Sequence, residues 1–322
     1  MPSNINAAWK NDLFPLIAKT FDYTYENYTN IIKQVMTEED SKTPDYRLEG
    51  MGGFGELPNY DGANLIQLNQ KRGFVTILQP QEKGAAIDLQ IRYKNMDKSG
   101  QAKNVGKKAA LSAAMTVYLS CLRLFGNAWN PAVLGGDGQP WASLVHPIAS
   151  KGDANGVSII DPDSGTFSNL ITNKLSVAGI TNAQILANRY VTPDGLPFMC
   201  DMSSNGLLMV SPELEPLAKE ICGTNGKMIP EHLPQSAENG ANPVYGLQYI
   251  VIGGGKDGFA APQWGIADKT LLPEIAKIVY VERATVLQTD LDNPLIARYV
   301  PYVDYSVGFG DARPIIFSNG TV

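Results

Sequence analysis

The chain has two histidines, so any mechanism that pairs a histidine with a nucleophile or a metal must use one of them. His146 stands in Leu144-Val145-His146-Pro147 and His232 in a polar stretch. Neither has a companion at metal-ligand spacing, and no H-E-x-x-H occurs. There is also no G-x-S-x-G elbow and no Ser-x-x-Lys. Both histidines therefore read as structural or surface residues. Cys121, Cys200 and Cys222 are far apart, odd in number and lack a C-x-x-C pair. That pattern argues against a disulfide framework or zinc site and for a reducing compartment. The acidic pairs Asp161/Asp163 and Asp290/Asp292 sit in turn-like segments, and no calcium-loop pattern surrounds them.

Two glycine clusters remain. Gly50, Gly52 and Gly55 satisfy G-x-G-x-x-G by letter. The motif needs a buried strand before it and a helix N-terminus after it to hold a phosphate. Tyr46-Arg47-Leu48-Glu49 precedes it, and a segment with Pro58 and Gly62 follows. Gly50, Gly52, Gly53 and Gly55 therefore read as a flexible hinge. Gly253, Gly254, Gly255 and Lys256 suggest a phosphate loop but lack its glycine spacing and the Ser or Thr after lysine. A turn between strands explains them. No catalytic residue, cofactor or metal is expected.

Composition narrows the class further. Charged residues make up 18% of the chain, against roughly 25% in an ordinary soluble domain. A surface largely covered by partners explains this; so does a polar, uncharged skin. The net charge of -6 argues against tight nucleic-acid binding, which uses a basic face. The N-terminus lacks the pattern of a secretory signal, and no stretch approaches the length of apolar residues that crosses a membrane.

The elements that would position these residues follow an α+β order. Residues 8–36 carry apolar side chains at helical spacing, and residues 37–62 read as a Gly- and Pro-rich linker. Residues 63–80 and 85–94 read as the two strands of a projecting ribbon; Ile87, Leu89, Ile91 and Tyr93 alternate with polar residues. The Ala/Leu-rich run 103–125 predicts a long helix stopped by Gly126-Asn127. A helix over 176–190 opens at Ser176, a strand follows at 207–210, and a helix opens at Ser211-Pro212 and stops at Gly223. Residues 223–243 are a polar loop, and the chain after them is mainly β.

Several stretches in this order carry a resemblance. They are His146-Pro147, Phe167-Ser168-Asn169, the Leu175–Leu186 helix, Asp194-Gly195-Leu196-Pro197, the step from Leu207 to Glu215, and Asp311-Ala312-Arg313. Together they resemble major head subunits of Mu-like and related tailed bacteriophages, over about residues 100–322. The resemblance implies the Hong Kong 97-type capsid fold. Its parts would be an N-terminal arm (1–46), an extended β-hairpin loop (47–95), a peripheral domain with a spine helix (96–171 and 273–322) and an axial domain (172–272). It implies a virion protein assembled in the host cytoplasm into pentamers, hexamers and an icosahedral shell around double-stranded DNA. Portal and scaffold or decoration proteins would be further partners, with no membrane. Assembly contacts would come from Tyr60, Asp61, Gln67, Lys71 and Arg72 of the hairpin loop and from an axial loop at Gly253–Lys256. Some relatives crosslink a lysine to an asparagine; Lys71 is a candidate donor without an identifiable acceptor. An encapsulin-type compartment shell is the nearest alternative, and a soluble α/β enzyme using the glycine loops a remote one.

Overall fold

The computed structural model describes residues 8–28, 31–50, 52, 56–60, 62, 67, 73–92, 100–152, 158–160, 165–223, 242–289, 293 and 295–321. Among the residues singled out above, Gly53, Gly55, Asp61, Lys71, Arg72, Tyr93, His232 and both acidic pairs lie outside that set.

Helix α1 (Ala8–Glu26) and a 3-10 turn lead into β1 (Thr37–Asp40), β2 (Tyr46–Glu49), β3 (Val75–Leu78), β4 (Gln81–Gly84) and β5 (Ile87–Gln90). Helix α2 (Gln101–Gly126) comes next. Two small ladders pair β6 (His146–Pro147) with β9 (Thr166–Phe167), and β7 (Ser150–Gly152) with β8 (Ser158–Ile160). After β10 (Leu170–Ile171) come α3 (Val177–Ala187), β11 (Gly206–Val210), α4 (Glu215–Cys222) and β12 (Gln248–Val251). A tight hairpin joins β13 (Gly253–Gly254) to β14 (Asp257–Gly258). The chain ends with β15 (Trp264–Asp268), the single-turn α5 (Leu272–Ile275), β16 (Ala276–Thr289), β17 (Ile296–Phe309) and β18 (Ile315–Ser318).

Helix α2 is about 39 Å long at 1.5 Å per residue. Its small and apolar residues Ala109, Ala110, Ala113, Ala114, Val117, Cys121, Leu122 and Phe125 are buried on one face. Where α1 crosses it, a Cβ on Gly106 would lie 2.8 Å from the Ile17 carbonyl oxygen, so only glycine allows the approach. By length and composition Asn104–Gly126 is also apolar enough to span a membrane. The buried face against α1 and the sheet explains that composition without one. Ser176 caps α3 as its type predicts, accepting from the Gly179 N–H at 3.0 Å.

The first sheet runs β1-β16-β17-β4, with β5 also on β17. Strands β16 and β17 are 14 residues each and pair antiparallel. This corrects two expectations. The linker 37–62 contains β1, a charged strand parallel to β16. The expected ribbon is also divided differently: β3 pairs back with β2, while β4 and β5 lie end to end along β17. An isolated hairpin is marginal in water, and the long β17 offers a full ladder. Burial of Leu89 and Ala297 in one cluster fixes the face.

The second sheet runs β10-β18-β15-β11-β12. All five residues of β11 and of β15 are buried, as expected of strands covered on both faces. It unites strands from both sides of the boundaries expected at 171/172 and 272/273. Trp141 joins the two sheets to α2: its ring stacks on Phe309 at 4.7 Å and meets Phe125 at 5.1 Å and Phe317 at 5.3 Å.

Candidate assembly surface

The chain forms a narrow neck where β2 ends and β3 begins. The Gly50 N–H donates to the Phe74 carbonyl at 2.7 Å. A Cβ on Gly73 would sit 2.5 Å from the Gly50 carbonyl carbon, so the two backbones touch. The neck is clamped to the body: the Gly136 N–H donates to Thr76 Oγ1 at 2.9 Å, and Ser150 Oγ donates to the Gly73 carbonyl at 3.1 Å. Beyond it, Gly52, Glu56 to Tyr60, Gly62 and Gln67 are exposed. Leu57 is 80% exposed and Tyr60 64%. Gly50 is thus a tied point, while Gly52, Tyr60 and Gln67 stand in the open.

The turn Gly253–Gly258 packs on the C-terminal end of α2. A Cβ on Gly126 would lie 2.6 Å from the Gly258 carbonyl oxygen. The Arg123 guanidinium donates to both Asp257 carboxylate oxygens, at 3.0 and 3.3 Å. Gly255 takes φ 65° at the tip, and Lys256 beside it is exposed. The structure therefore sets this loop against the long helix, as a turn between strands.

Charge decides how β1 sits. Lys277 meets Glu39, which also accepts from the Tyr46 hydroxyl. Arg283 grips Asp40 at 2.8 and 3.2 Å and reaches Glu38 at 3.1 Å. Burial pushes the Glu39 carboxyl up, but the hydrogen bonds from Lys277 and Tyr46 outweigh it and hold it below the usual carboxylate value.

A second row has no such compensation. Glu82, Asp304 and Glu282 stand directly opposite one another across β4, β17 and β16. Burial, then Glu82 and Glu282, raise the Asp304 carboxyl above its ordinary value. A carboxyl raised by folding stabilises the fold when protonated, and this contribution is lost as pH rises through the folded value. Like charges directly opposite cost about 0.2–1 kcal/mol. Asp304→Asn is therefore expected to raise the melting temperature at pH 7 by roughly 1–3 °C. The gain should shrink as pH falls into the carboxylate range; a thermal melt series from pH 7 to pH 4 checks it.

His146 lies at a buried crossing of chain segments. Asn169 Oδ1 accepts from the Ser143 N–H at 2.9 Å and faces His146 Nε2 at 3.1 Å. Asn169 Nδ2 donates to the Trp141 carbonyl at 2.7 Å and to the Ala312 carbonyl at 3.2 Å. These four partners fix the amide orientation, so Nε2 is a donor. Nδ1 then faces Asp137 Oδ2 at 2.5 Å. The ring is 0% exposed and stacks on Phe167 at 5.1 Å. Both nitrogens are committed to internal partners, which makes His146 a tie between segments. Beside it, Asp311 and Arg313 form a buried ion pair at 2.6 Å. Spacing revealed neither the Asp137–His146–Asn169 unit nor this pair. The available signal was polar residues standing inside apolar stretches.

Among the described residues no group of three or more His, Cys, Asp or Glu is placed to hold a metal ion. No protein-family model and no curated protein matches the chain. Among solved structures it is similar to a virus-like particle from Pyrococcus furiosus, at 9% identity over 94% of this chain and 97% of that one, with a TM-score of 0.45. It is also similar to the mature capsid of bacteriophage PhiM1, at 11% identity over 90% and 87%, TM-score 0.49. A third is the procapsid of bacteriophage JBD30, at 15% identity over 97% and 75%, TM-score 0.47.

Proposed function

We propose that the chain is the major capsid (head) subunit of a tailed bacteriophage, built on the Hong Kong 97-type fold and without enzymatic activity. The observation that carries this reading is the segment beyond the Gly50–Gly73 neck. It presents Leu57 and Tyr60 to solvent, at 80% and 64% exposure. Apolar side chains on a projecting segment gain by lying on another protein surface. The long helix and long antiparallel pair behind it supply a rigid body from which to project.

In this reading residues 1–46 are the arm, 47–95 the hairpin loop, 96–171 with 273–322 the peripheral domain and 172–272 the axial domain. Copies meet as pentamers and hexamers of an icosahedral shell around double-stranded DNA, in the host cytoplasm and then in the virion. A closed shell multiplies individually weak contacts, and heterologous contacts close when their rotations form a ring. Tyr60, Asp61, Gln67, Lys71 and Arg72 belong to the hairpin contact. Portal and scaffold or decoration proteins are further partners.

Negative-stain microscopy and sedimentation of the expressed chain test this. Closed shells, or rings of five or six, are expected; a compact monomer at all concentrations overturns it. DNA or packaged enzyme inside the shells separates a virion from a compartment. Gly52, Gly53 and Gly55, beyond the tied Gly50, act as the hinge that lets one sequence take different tilts. Replacing both Gly52 and Gly53 with proline, which locks φ, is expected to cut shell yield while the melting temperature of the subunit changes little. Normal particles from that variant would remove the hinge.

A further inference from the structure

A groove of about 550 Å³ runs between the C-terminal half of α2, the β3–β4 segment and β17. Two cations and no carboxylate line it. Arg123 is already held by Asp257. Lys83 is not comparably held. Its ammonium lies 3.4 Å from Ser120 Oγ and 3.2 Å from the Tyr305 hydroxyl, and 5.2 Å from the centre of the Tyr305 ring. Among the described residues it forms no ion pair. On the same wall Ser306 is 7% exposed, and its hydroxyl has no hydrogen-bond partner among the described residues. Ile77, 54% exposed, forms part of an apolar shelf with Leu124 and Val307. The groove therefore suits a carboxylate followed by an apolar side chain. A nucleic-acid backbone calls for a run of cations, and here a single ammonium is uncompensated beside an apolar shelf.

The chain itself displays such a pair of residues. Glu56 is exposed, and Leu57 next to it is 80% exposed. We propose that the groove receives Glu56-Leu57 of a second copy, with the Glu56 carboxylate on the Lys83 ammonium and Leu57 on the Ile77 shelf. The assignment rests on the shell reading above and specifies one contact within it. The contact is heterologous, joining a segment of one copy to a different surface of the next, as a ring requires.

Carbodiimide joins a lysine amine directly to a carboxylate in contact with it. Applied to shells assembled from mixed nitrogen-15-labelled and unlabelled wild-type chains, it is expected to yield a Lys83–Glu56 peptide pair carrying both labels. Lys83→Glu and Glu56→Lys are each expected to lower shell yield ~10-fold or more, since like charges then face each other across the contact. Together they should restore it to within about 2-fold, with circular dichroism unchanged throughout. Shells that form while Lys83 remains unlinked, or links only within one chain or to another carboxylate, overturn this contact and leave the shell reading standing. Single variants that assemble at wild-type yield do the same. A wild-type chain that never assembles overturns both.

Discussion

Asn169→Ala is expected to lower the melting temperature of the chain by roughly 10 °C, the largest effect of any single uncharged substitution considered. Asn169 is 0% exposed and makes four hydrogen bonds, two accepted and two donated. Truncation strands the Ser143 N–H, the Trp141 and Ala312 carbonyls and the His146 Nε2–H where water cannot replace the lost partner. Each stranded group costs about 1–3 kcal/mol, and the losses overlap, so about 3–5 kcal/mol is expected in total. Asn169→Asp keeps the acceptor and loses both donations, so its melting temperature should fall between the two. Thermal melts of the three proteins at one pH check this. A wild-type-like melt for the alanine variant would mean that the segments around His146 are held together by apolar packing alone.

Asp311→Ala should be comparably severe, but for an electrostatic reason. Arg313 is 3% exposed and Asp311 7%. The guanidinium donates to the carboxylate at 2.6 and 3.0 Å, reaches the Val191 carbonyl at 3.2 Å and lies 5.0 Å from the Phe198 ring centre. Removing the carboxylate leaves a buried cation without its counter-charge, a change that costs about 3–5 kcal/mol. Removing both charges is different. Desolvation of the pair offsets much of its Coulombic gain, so Asp311→Leu with Arg313→Met is expected to be more stable than Asp311→Ala alone. Denaturant unfolding of Asp311→Leu, Arg313→Met and the variant carrying both would measure the coupling, expected at about 1–3 kcal/mol. Additive losses would show that each group is stabilised by its other neighbours rather than by its partner.

Both predictions concern residues whose local runs carried a resemblance but announced no partner, and the same division runs through the fold. Helix α2 was legible because alanine and leucine at helical spacing need no distant partner to announce a helix, and Gly126-Asn127 marks its end. Ser176 announced α3 because a side-chain cap acts within three residues. Strand β17 was legible from its β-branched and aromatic content, and β11 as a short continuous apolar run. Strand β1 was not: Thr37-Glu38-Glu39-Asp40 has the composition of a solvated turn. It becomes a strand because Lys277 and Arg283, more than two hundred positions away, supply the opposing charge. The ribbon over 63–94 was divided differently from its pattern because alternation fixes which face of a strand is buried and leaves its partner open. Strands β4 and β5 found theirs on β17.

At the candidate surface, the turn at 253–258 was visible as local chemistry. Gly50 read as a hinge residue and is instead tied at the neck, because Gly73 closes on it from the far side of the loop. Lys83 drew no notice at all: only the approach of Ser120 and Tyr305 shows an ammonium surrounded by neutral oxygens.

By itself, then, the sequence determined the helices, their caps and the alternation of the strands, since these depend on interactions spanning a few residues. Tertiary structure alone decided which charges are neutralised, which strands share a ladder and which buried polar groups meet. Those depend on groups that the chain brings together only after its long-range contacts have closed.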